Sequence, residues 1–488
     1  MVMATREFIA DKEKDFSDWY NKVIYAADLV DNRYNVQGFV VHKPWSMLAF
    51  RQLYSLFERE LEADGHLPVL FPLVIPEENF EKEKEHVEGF EPEVFWVTRA
   101  GPEDLKRHLA LRPTSETAFY QMYSLWVQGK GDLPVKFYQS CAVYRNESET
   151  SPFLRGREFL WIEAHDCFAT ADEAVKQVNT DMKICEKVLD GRLGLKFLFF
   201  ERPAWDTFPG AEKTFACDVR LPDGKALQIA TTHLLGQNFA KPFGIRFSEG
   251  GEDKYVHQTC FGPGIWRMMA ALISVHGDNK GLIMPFEVAP IQVVIVPIPG
   301  KSASPAKLVE KCREVRKELE AAGIRATVDD SDKTPGFKYN YWEMKGVPAR
   351  IEVGEREATS GTLTLVRRDS REKQVIKQAD APRMAKELGE LMLESMRAKS
   401  ANELKSHVLN AADKKELLQV IESKNYARVF FCSTGKDGKE CADWIQAESK
   451  GAKVRGTLFG ADEKVPRGAK CVWCGKPASA VVYVARQY

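Results

Sequence analysis

Three arginines, Arg145, Arg155 and Arg157, alternate with glutamates in the polar stretch "YRNESETSPFLRGREF". The flanking runs, "VKFYQSCAVY" and "EFLWIEAHDCF", have the composition of β-strands, so we expect an antiparallel hairpin with a long polar loop. Arginine keeps its charge and presents a planar fork of donors that suits phosphate, which favours a polyanionic ligand at this loop. The opposing interpretation is a solvated hairpin tip with surface ion pairs, each worth about 0 to 1 kcal/mol.

Two further segments carry groups that suit the same site. "RPTSETAFY" places Thr114 and Glu116 at the start of a predicted helix, and this polar pair suits a substrate ammonium group. "CFGPGIWRMMAALISVHGD" places Gly262 and Gly264 ahead of Arg267 and an apolar helix. Glycine lets a ligand approach the backbone closely, and Arg267 stands at the helix start that faces the same place. Together with the arginines, these segments favour the ligand site over the solvated hairpin.

The ten cysteines fall into two groups. Single cysteines in mostly apolar surroundings are typical of small buried side chains, and these are Cys141, Cys167, Cys185, Cys217, Cys260 and Cys312. The last four are Cys432, Cys441, Cys471 and Cys474. The spacing of "CVWC" directs two thiolates at one cation, and a second pair brought in by the fold would complete a closed tetrahedral site. We therefore predict structural zinc, with unrelated free thiols as the other interpretation.

The pattern of apolar residues predicts the elements that must position these groups. "SMLAFRQLYSLFERELEADGH" has leucine and phenylalanine at helical spacing, and "LPVLFPLVIP" is a short apolar strand whose prolines place it at a sheet edge or an interface. After Pro290, runs such as "IQVVIVPIP" alternate with helical segments, which predicts βαβ units and a parallel or mixed sheet. Residues 380–423 are expected to form amphipathic helices that lead to the cysteine block.

Composition limits the classes of protein to which the chain can belong. With 488 residues, 44% of them hydrophobic, the chain can build several cores, and we expect three domains. The 69 Lys and Arg residues nearly balance the 70 Asp and Glu residues. The chain therefore lacks the basic charge that is typical of a nucleic-acid coat protein. The start lacks the apolar core of a signal peptide, and no run approaches the roughly 20 apolar residues of a membrane span. We expect a cytoplasmic protein without a membrane partner.

In their order, the motifs resemble those of the class II aminoacyl-tRNA synthetases, and within them the prolyl-tRNA synthetases of archaeal and eukaryotic type. Residues 46–76 are similar to motif 1, a helix and a strand at the dimer interface, with Pro72 at its characteristic proline. Arg145, Asn146 and Glu147 with the following loop resemble motif 2, and "GPGIWR" resembles motif 3. "RPTSE", "QIATTHLLGQNF" and the terminal "VYVARQY" add to the resemblance, which covers essentially the whole chain.

The resemblance implies an α+β protein of three domains. Residues 1–289 would form the class II catalytic domain around an antiparallel sheet, and residues 290–397 an α/β anticodon-binding domain. Residues 398–488 would form a small α/β zinc-binding domain whose last tyrosine packs against the catalytic domain. The resemblance also implies a homodimer that binds tRNA(Pro), proline and ATP with Mg²⁺, and that ligates proline to the tRNA through prolyl-adenylate.

The resemblance further assigns roles to single residues, with Arg145 and Arg267 as the catalytic pair. The ATP-binding residues would be Arg145, Glu147, Arg155, Gln228, Thr231 and Arg267. The proline-binding residues would be Thr114, Glu116, Arg145, Trp161, Glu163, His165 and His233. The anticodon-binding residues would be Glu343 and Arg350, and the zinc ligands Cys432, Cys441, Cys471 and Cys474. Arg157 and Glu158 are expected to form an ion pair at the return of the hairpin.

Several assignments have a plainer interpretation. By spacing alone, Trp161 and His233 are core residues, and Glu343 and Arg350 are a surface pair. The two arginines of "VRRDS" would hold the tRNA backbone or have no such role. The sequence "WIEAH" departs from the W-Q-E-G-H that is usual in the family, and the longer spacing in "CFGPGIWR" puts Cys260 in doubt as a pocket residue.

Two classes of function compete: an active synthetase, and a synthetase-like binding protein that has lost the chemistry. The clustered charges of motifs 2 and 3 favour the enzyme, since a degenerate site would be expected to lose them. A third interpretation keeps the enzyme and changes the amino acid to threonine, glycine or serine. The segment between Arg157 and Cys260 is too short for the family's inserted editing domain. A pocket alone rejects a substrate one methylene smaller only about 10- to 200-fold, so we expect activation of alanine or cysteine.

Overall fold

The computed structural model describes residues 8–79, 94–300 and 305–488. The helices in this part of the chain are α1 (Phe16–Ala26), α2 (Pro44–Ala63), α3 (Glu116–Trp126), α4 (Ala171–Cys185), α5 (Ala240–Phe243), α6 (Ile265–His276), α7 (Pro305–Ala321), α8 (Pro335–Met344), α9 (Glu355–Ser360), α10 (Ala381–Ser406), α11 (Lys414–Glu422) and α12 (Lys439–Glu448). None of these helices combines the length and the apolar character that a membrane span requires.

The strands of the described residues alternate with these helices throughout the chain. They are β1 (Val30–Asp31), β2 (Val41–His42), β3 (Leu67–Pro68), β4 (Val74–Pro76), β5 (Trp96–Ala100), β6 (Glu103–Leu111), β7 (Val135–Tyr144), β8 (Glu158–Phe168), β9 (Leu198–Glu201), β10 (Lys213–Arg220), β11 (Ala226–Gly236), β12 (Arg246–Glu249), β13 (Glu252–Tyr255), β14 (His257–Pro263), β15 (Val293–Pro297), β16 (Ala326–Val328), β17 (Ala349–Val353), β18 (Thr362–Arg367), β19 (Lys373–Lys377), β20 (Val408–Asn410), β21 (Tyr426–Phe431), β22 (Lys453–Leu458) and β23 (Ala480–Ala485).

One long sheet organises the molecule, with strand order β20-β21-β23-β22-β9-β10-β11-β14-β8-β7-β3. Its neighbours run antiparallel except at the two ends, where β20 pairs parallel with β21 and β3 with β7. Trp19 of α1, Phe50 of α2 and Trp266 of α6 belong to the main core and are at most 1% exposed. The predicted α+β fold with an antiparallel catalytic sheet is confirmed.

The polar loop "RNESETSPFLRGR" joins β7 to β8, as the hairpin prediction requires. Its tip is anchored, because Phe153 is fully buried and its ring lies 5.9 Å from that of Phe50 and 5.7 Å from that of Trp266. Within the loop, the Ser151 amide donates to the Arg155 carbonyl at 2.7 Å. Apolar burial at Phe153 therefore holds the loop against the main core, which a solvated hairpin tip with surface ion pairs would not require.

The expected ion pair between Arg157 and Glu158 is wrong, because both side chains have other partners. The Arg157 guanidinium donates to the main-chain oxygen of Glu147 at 2.9 Å, and Glu158 accepts from the Tyr144 hydroxyl at 2.9 Å. Successive residues of a strand point to opposite faces of the sheet, which separates these two side chains. Arg157 instead holds the arm of the loop that carries Glu147.

The segment "LPVLFPLVIP" forms two short strands where the sequence predicted one. β3 lies at the edge of the long sheet, and β4 belongs to a separate sheet of order β4-β6-β5. Proline cannot donate a ladder hydrogen bond, so Pro68 ends the first strand and exposed Pro72 stands between the two. The predicted edge position is confirmed.

Residues after Pro290 form a mixed five-stranded sheet of order β16-β15-β17-β18-β19, in which the first three strands are parallel. This confirms the predicted α/β pattern, and α10 and α11 confirm the helices expected over residues 380–423. The expected boundary between residues 397 and 398 falls inside α10, which runs unbroken for 26 residues. The apolar face of α10, which includes Leu388 and Met396, packs on the core of this domain. The helix therefore continues past residue 397 and ends at Ser406.

The C-terminal domain joins the catalytic domain through the sheet itself, because β22 pairs with β9. Gly456 lies at this junction with a φ of +122°, and a Cβ there would stand 2.0 Å from the main-chain oxygen of Glu201. The last residue, Tyr488, donates its hydroxyl to Asp223 at 2.6 Å, and the Lys225 ammonium lies 4.2 Å from its ring centre. The predicted packing of the final tyrosine against the catalytic domain is confirmed.

The two arginines of "VRRDS" are structural. Arg368 is 1% exposed and donates to both oxygens of Asp278, at 2.8 and 2.9 Å, which ties the anticodon-type domain to the end of the catalytic domain. Arg367 binds Asp369 through two hydrogen bonds of 2.6 and 2.7 Å. Backbone contact with tRNA is therefore not the role of Arg368, whose guanidinium is buried in a paired arrangement.

Removing the Arg368 side chain should destabilise the protein strongly. Arg368→Ala leaves Asp278 without its buried partner, and we expect a loss of about 3–5 kcal/mol in urea unfolding. The control is Arg383→Ala, which removes an exposed arginine that pairs with Asp380 and Glu387, and which should cost at most about 1 kcal/mol. Equal losses in the two variants would contradict the structural role of the Arg368 pair.

Candidate active site

A cleft of about 580 Å³ opens on the face of the long sheet and continues into a narrower part beneath the polar loop. Its walls come from β8, β11 and β14, from the polar loop and from the start of α3. It brings together most of the residues that the sequence assigned to ATP and proline. These are Thr114, Glu116, Arg145, Glu147, Arg155, Trp161, Gln228, Thr231, His233 and Arg267.

Arg267 closes the narrow end of the cleft from the first turn of α6. Its guanidinium donates to the main-chain oxygens of Leu154 at 3.0 Å and Gln228 at 3.2 Å, so the backbone fixes its direction. Burial, followed by the nearby positive charges of Arg145 and Arg155, lowers the pKa of Arg267 to about 10. An anion placed among these three groups would relieve their repulsion.

Arg145 stands between the two parts of the cleft. Its Nε donates to the main-chain oxygen of Pro113 at 3.2 Å, and its guanidinium carbon lies 5.2 Å from the centre of the Phe159 ring. Arg155 approaches the Glu147 carboxylate at 3.8 Å. Both guanidinium groups thus line the cleft and present positive charge to a polyanion that extends from one part of the cleft to the other.

A carboxylate forms the opposite end of the cleft. Glu116 is 3% exposed, accepts a short hydrogen bond from the Thr114 hydroxyl and lies 3.7 Å from the thiol of Cys260. Both of these hydrogen-bond partners are neutral, and a ring nitrogen of His165 lies within 4.8 Å, so a cationic ligand group at Glu116 would add a charge-assisted hydrogen bond to the carboxylate. Cys260 lines the cleft beside Glu116, so the doubt raised by the spacing of "CFGPGIWR" is resolved in favour of a pocket position.

Glu163 and His165 lie behind the cleft wall, and both are fully buried. Glu163 accepts from the Ser115 amide at 3.1 Å and the Gln139 side chain at 2.7 Å. Burial raises the pKa of Glu163, but the hydrogen bonds and the charge of His165 lower it overall. This carboxylate thus supports the turn that presents Thr114, and the structure does not bring it or His165 to the cleft surface.

His233 lines the wide part of the cleft as a neutral imidazole. Burial lowers its pKa to about 3, with a smaller contribution from the charge of His165. Its Nδ1 lies 2.9 Å from the Thr214 hydroxyl, and its ring packs against that of Phe208 in a tilted arrangement, with 4.7 Å between centres. Trp161 and Phe208 provide apolar walls near it.

Sequence analysis missed one wall of the cleft, which the segment "RPAWDTFPG" builds. The wall residues are Arg202, Trp205, Asp206, Thr207, Phe208 and Pro209. The cluster of proline, glycine and aromatic residues between two strands indicates a loop, and that was the available signal. Within this wall, Arg202 forms a hydrogen bond with a predicted ATP-binding residue, since it donates to the side-chain oxygen of Gln228 at 2.8 Å.

Outside the cleft, Glu343 and Arg350 form an ion pair of 3.0 Å, and Arg350 also binds Glu352 at 3.0 Å. The guanidinium of Arg350 stacks on Tyr339 at 3.8 Å. The surface-pair interpretation therefore describes their contacts in the free protein.

The four C-terminal cysteines converge, with all four sulfurs within 4.8 Å of one another. The sulfurs of Cys432 and Cys441 are 3.7 Å apart. Four thiolates at the Zn–S distance of about 2.3 Å form a tetrahedron with edges of about 3.8 Å, so the arrangement fits this ion.

Pro72 lies in an exposed apolar area that we call the motif 1 patch. The patch consists of Leu67, Leu70, Pro72, Leu73, Leu125 and Trp126. Leu70 is 79% exposed, and Trp126 is tied to the segment by its ring contact of 6.0 Å with Phe71.

Three family models match the chain in succession. Residues 95–276 match the tRNA synthetase class II core domain (G, H, P, S and T), and residues 292–388 match an anticodon binding domain. Residues 414–488 match the C-terminal domain of prolyl-tRNA synthetase. The three matches follow the three-domain order that the sequence predicted.

Relatives and solved structures agree over the full length. The chain is 52% identical to the proline–tRNA ligase of Thermofilum pendens, with 100% of both chains covered, and 40% identical to that of Pyrococcus abyssi, with 97% and 98% covered. The Giardia lamblia prolyl-tRNA synthetase in complex with prolyl-adenylate superposes with a TM-score of 0.92 at 37% identity, covering 98% of this chain and 99% of that chain. The Cryptosporidium parvum enzyme, complexed with halofuginone and AMPPNP, gives 0.92 at 32% identity, covering 98% and 97%. The chain therefore belongs to the prolyl-tRNA synthetases, a family of class II aminoacyl-tRNA synthetases.

Proposed function

We propose that the protein ligates L-proline to tRNA(Pro) in two steps. The proline carboxylate attacks the α-phosphate of MgATP, which gives prolyl-adenylate and releases pyrophosphate. The terminal ribose hydroxyl of the tRNA then takes the prolyl group, and AMP leaves. The observation that carries the proposal is one continuous cleft with three arginines at one end and the buried Glu116 carboxylate at the other.

The arginines serve the phosphates in this proposal. Arg145 stands where the two parts of the cleft meet, so it contacts the α-phosphate and the proline carboxylate. Arg155 and Arg267 hold the β- and γ-phosphates, while Glu147 accepts from the adenine amine. Gln228 and Thr231 complete the ATP site. Magnesium enters with ATP as part of the substrate and neutralises phosphate charge, so this chemistry needs positioning and charge stabilisation and no protein nucleophile.

The wide end of the cleft receives proline. Its secondary ammonium group binds Glu116 and Thr114, and its ring packs between the apolar walls near Trp161 and the neutral imidazole of His233. Glu163 and His165 act behind this surface, where Glu163 supports the turn of Thr114.

ATP–pyrophosphate exchange with each of the twenty amino acids tests the proposal. We expect proline to give the strongest signal, because the Glu116 end of the cleft pairs a carboxylate with the apolar walls of Trp161 and Phe208. A protein that binds ATP and proline without exchange would be a synthetase-like binding protein. A stronger signal from threonine, glycine or serine would assign another amino acid.

The same assay tests the expected activation of alanine or cysteine. Without an editing domain, the pocket rejects each smaller amino acid by only about 10- to 200-fold for each methylene. A preference for proline above about a millionfold would contradict this part of the proposal.

Arg145→Ala should abolish pyrophosphate exchange, because it removes the cation at the reacting α-phosphate. The matched control is Arg157→Ala in the same loop, which loses a hydrogen bond to the Glu147 main chain and should keep most of the activity. Substantial exchange in Arg145→Ala, or equal loss in both variants, would contradict the assigned roles.

We also propose that Cys432, Cys441, Cys471 and Cys474 hold a structural zinc ion. Their sulfurs converge from a strand end, a helix and the "CVWC" turn, as a closed site requires. The ion would fix this loop-rich part of the domain, which lies beside the sheet that joins the catalytic domain.

Zinc removal by a chelator should make residues 430–488 sensitive to protease, because structural zinc sites contribute directly to folding. Metal analysis should find one zinc per chain before treatment. Equal resistance before and after chelation would contradict the zinc site.

A homodimer completes the proposal, and the motif 1 patch supports it as the interface. Exposed apolar patches of this kind mark protein interfaces. Leu70→Asp should shift the protein to monomers in sedimentation velocity, whereas Leu391→Asp, at an exposed leucine of α10, should not. A wild-type monomer at micromolar concentration would contradict the dimer.

We propose that Glu343 and Arg350 contact the anticodon, with their mutual ion pair replaced by hydrogen bonds to bases. Glu343→Ala should then lose tRNA charging and keep pyrophosphate exchange. None of the ten cysteines, all of which lie in the described part of the chain, forms a disulfide, which supports a cytoplasmic location, because reducing compartments keep cysteines out of disulfides. Recovery of the protein from an extracellular fraction would contradict that location.

A further inference from the structure

A buried chain of hydrogen bonds links the C-terminal domain to the cleft. Arg455 lies in β22 and is 1% exposed, and its Nε donates to Asp218 at 2.7 Å. Asp218 is fully buried and accepts from Arg202 at 2.8 and 3.2 Å. Arg202 in turn donates to the side-chain oxygen of Gln228 at 2.8 Å. These side-chain contacts therefore connect Arg455 of the C-terminal domain to Gln228, a residue of the proposed ATP site.

The geometry of the sheet makes this chain rigid. Asp218 of β10 lies directly opposite Gln228 of β11, next to a β-bulge in their pairing. Bulges re-aim side chains and occur beside active sites. Gly264 donates to the carbonyl of Ile229, the residue after Gln228, at 2.8 Å, so the glycine motif is tied to the same point.

The C-terminal domain contacts both members of the Arg202–Asp218 ion pair through Arg455. The main-chain oxygen of Arg455 accepts from Arg202 at 2.8 Å, while its guanidinium makes a short hydrogen bond with the side chain of Gln487. Gln487 is itself held by the bridge that pairs it with Ala226 at the start of β11. The position of β22 therefore fixes the position of the Arg202 guanidinium group.

The charges explain why the chain needs both arginines. Burial raises the pKa of Asp218, but the two guanidinium groups lower it overall, so the carboxylate stays ionised. Removing the Arg455 side chain leaves a buried carboxylate with one partner where it had two. Arg202 would then follow Asp218 more closely and loosen its contact with Gln228.

We propose that Arg455, supported by Gln487, is a positioning residue for ATP. It acts through Asp218 and Arg202 to fix the Gln228 amide in the cleft, so the C-terminal domain contributes to adenylate formation. This inference rests on the ATP site of the proposed function.

The test compares Arg455→Ala with Arg428→Ala in the full-length protein. Arg428 lies in β21, which β23 separates from β22 in the same sheet, and it pairs with Glu463, away from the cleft. We expect Arg455→Ala to raise the KM for ATP in exchange, and the Kd for MgATP in calorimetry, roughly tenfold or more. The KM for proline should change little, and Arg428→Ala should change neither constant by more than about twofold.

A second pair of variants separates positioning from general damage. In a Gln228→Ala background, Arg455→Ala should add little further loss of ATP affinity, because its effect passes through the missing amide. Arg455→Lys, which keeps the charge but cannot span Asp218 and Gln487 together, should give an intermediate KM with normal thermal unfolding. It serves as the test if Arg455→Ala does not fold.

Unchanged ATP constants in Arg455→Lys and Arg455→Ala, or independent effects of Arg455 and Gln228, would overturn the inference. A wild-type protein that binds MgATP but shows no proline-dependent exchange would instead overturn the proposed function, while the affinity comparison would still decide the role of Arg455. A wild-type protein without affinity for MgATP would overturn both.

Discussion

The constraint on which the site depends is the repulsion among Arg145, Arg155 and Arg267 in one partly enclosed cleft. Like charges at close range in a low-dielectric environment destabilise the free protein, so the fold must hold them in place before a ligand arrives. It does so with main-chain oxygens, which accept from Arg145 and Arg267, and with the buried Phe153 that anchors the loop. The site is thus preorganised for an anion, which is what phosphoryl transfer requires of a protein.

A second layer of buried charge supports the first. Glu163 and His165 hold the turn that presents Thr114, and Asp218 with its two arginines holds Gln228. In both cases an ion pair beneath the surface fixes a neutral side chain that faces the cleft. The C-terminal domain takes part in this layer because its sheet is continuous with the catalytic sheet. The C-terminal domain and the catalytic domain are therefore separate segments of the sequence that pack as one continuous sheet.

Sequence patterns predicted much of this arrangement. The hairpin, the edge strand and the helices before the cysteine block are all present, because periodicity and proline chemistry act locally. The docking of Tyr488 was expected from the family resemblance and is also present. Patterns could not distinguish a residue on the cleft surface from one directly behind it, as with Glu163 and His165. They also missed the Arg157 and Glu158 partners and the Arg202 wall, since these depend on which side chains the folded hairpin and the adjoining strands bring together. The predicted boundary between residues 397 and 398 fell inside α10, because sequence patterns did not show that this helix continues unbroken to Ser406.

The central claim is that one cleft joins ATP and proline and then passes the prolyl group to tRNA. A single-turnover experiment tests it most directly, with the protein, MgATP and labelled proline mixed first and tRNA(Pro) added second. The account predicts that the label enters an adenylate in step with pyrophosphate release, and then moves to the tRNA in step with AMP release. Label that never joins AMP, or ATP breakdown that does not depend on proline, would contradict it.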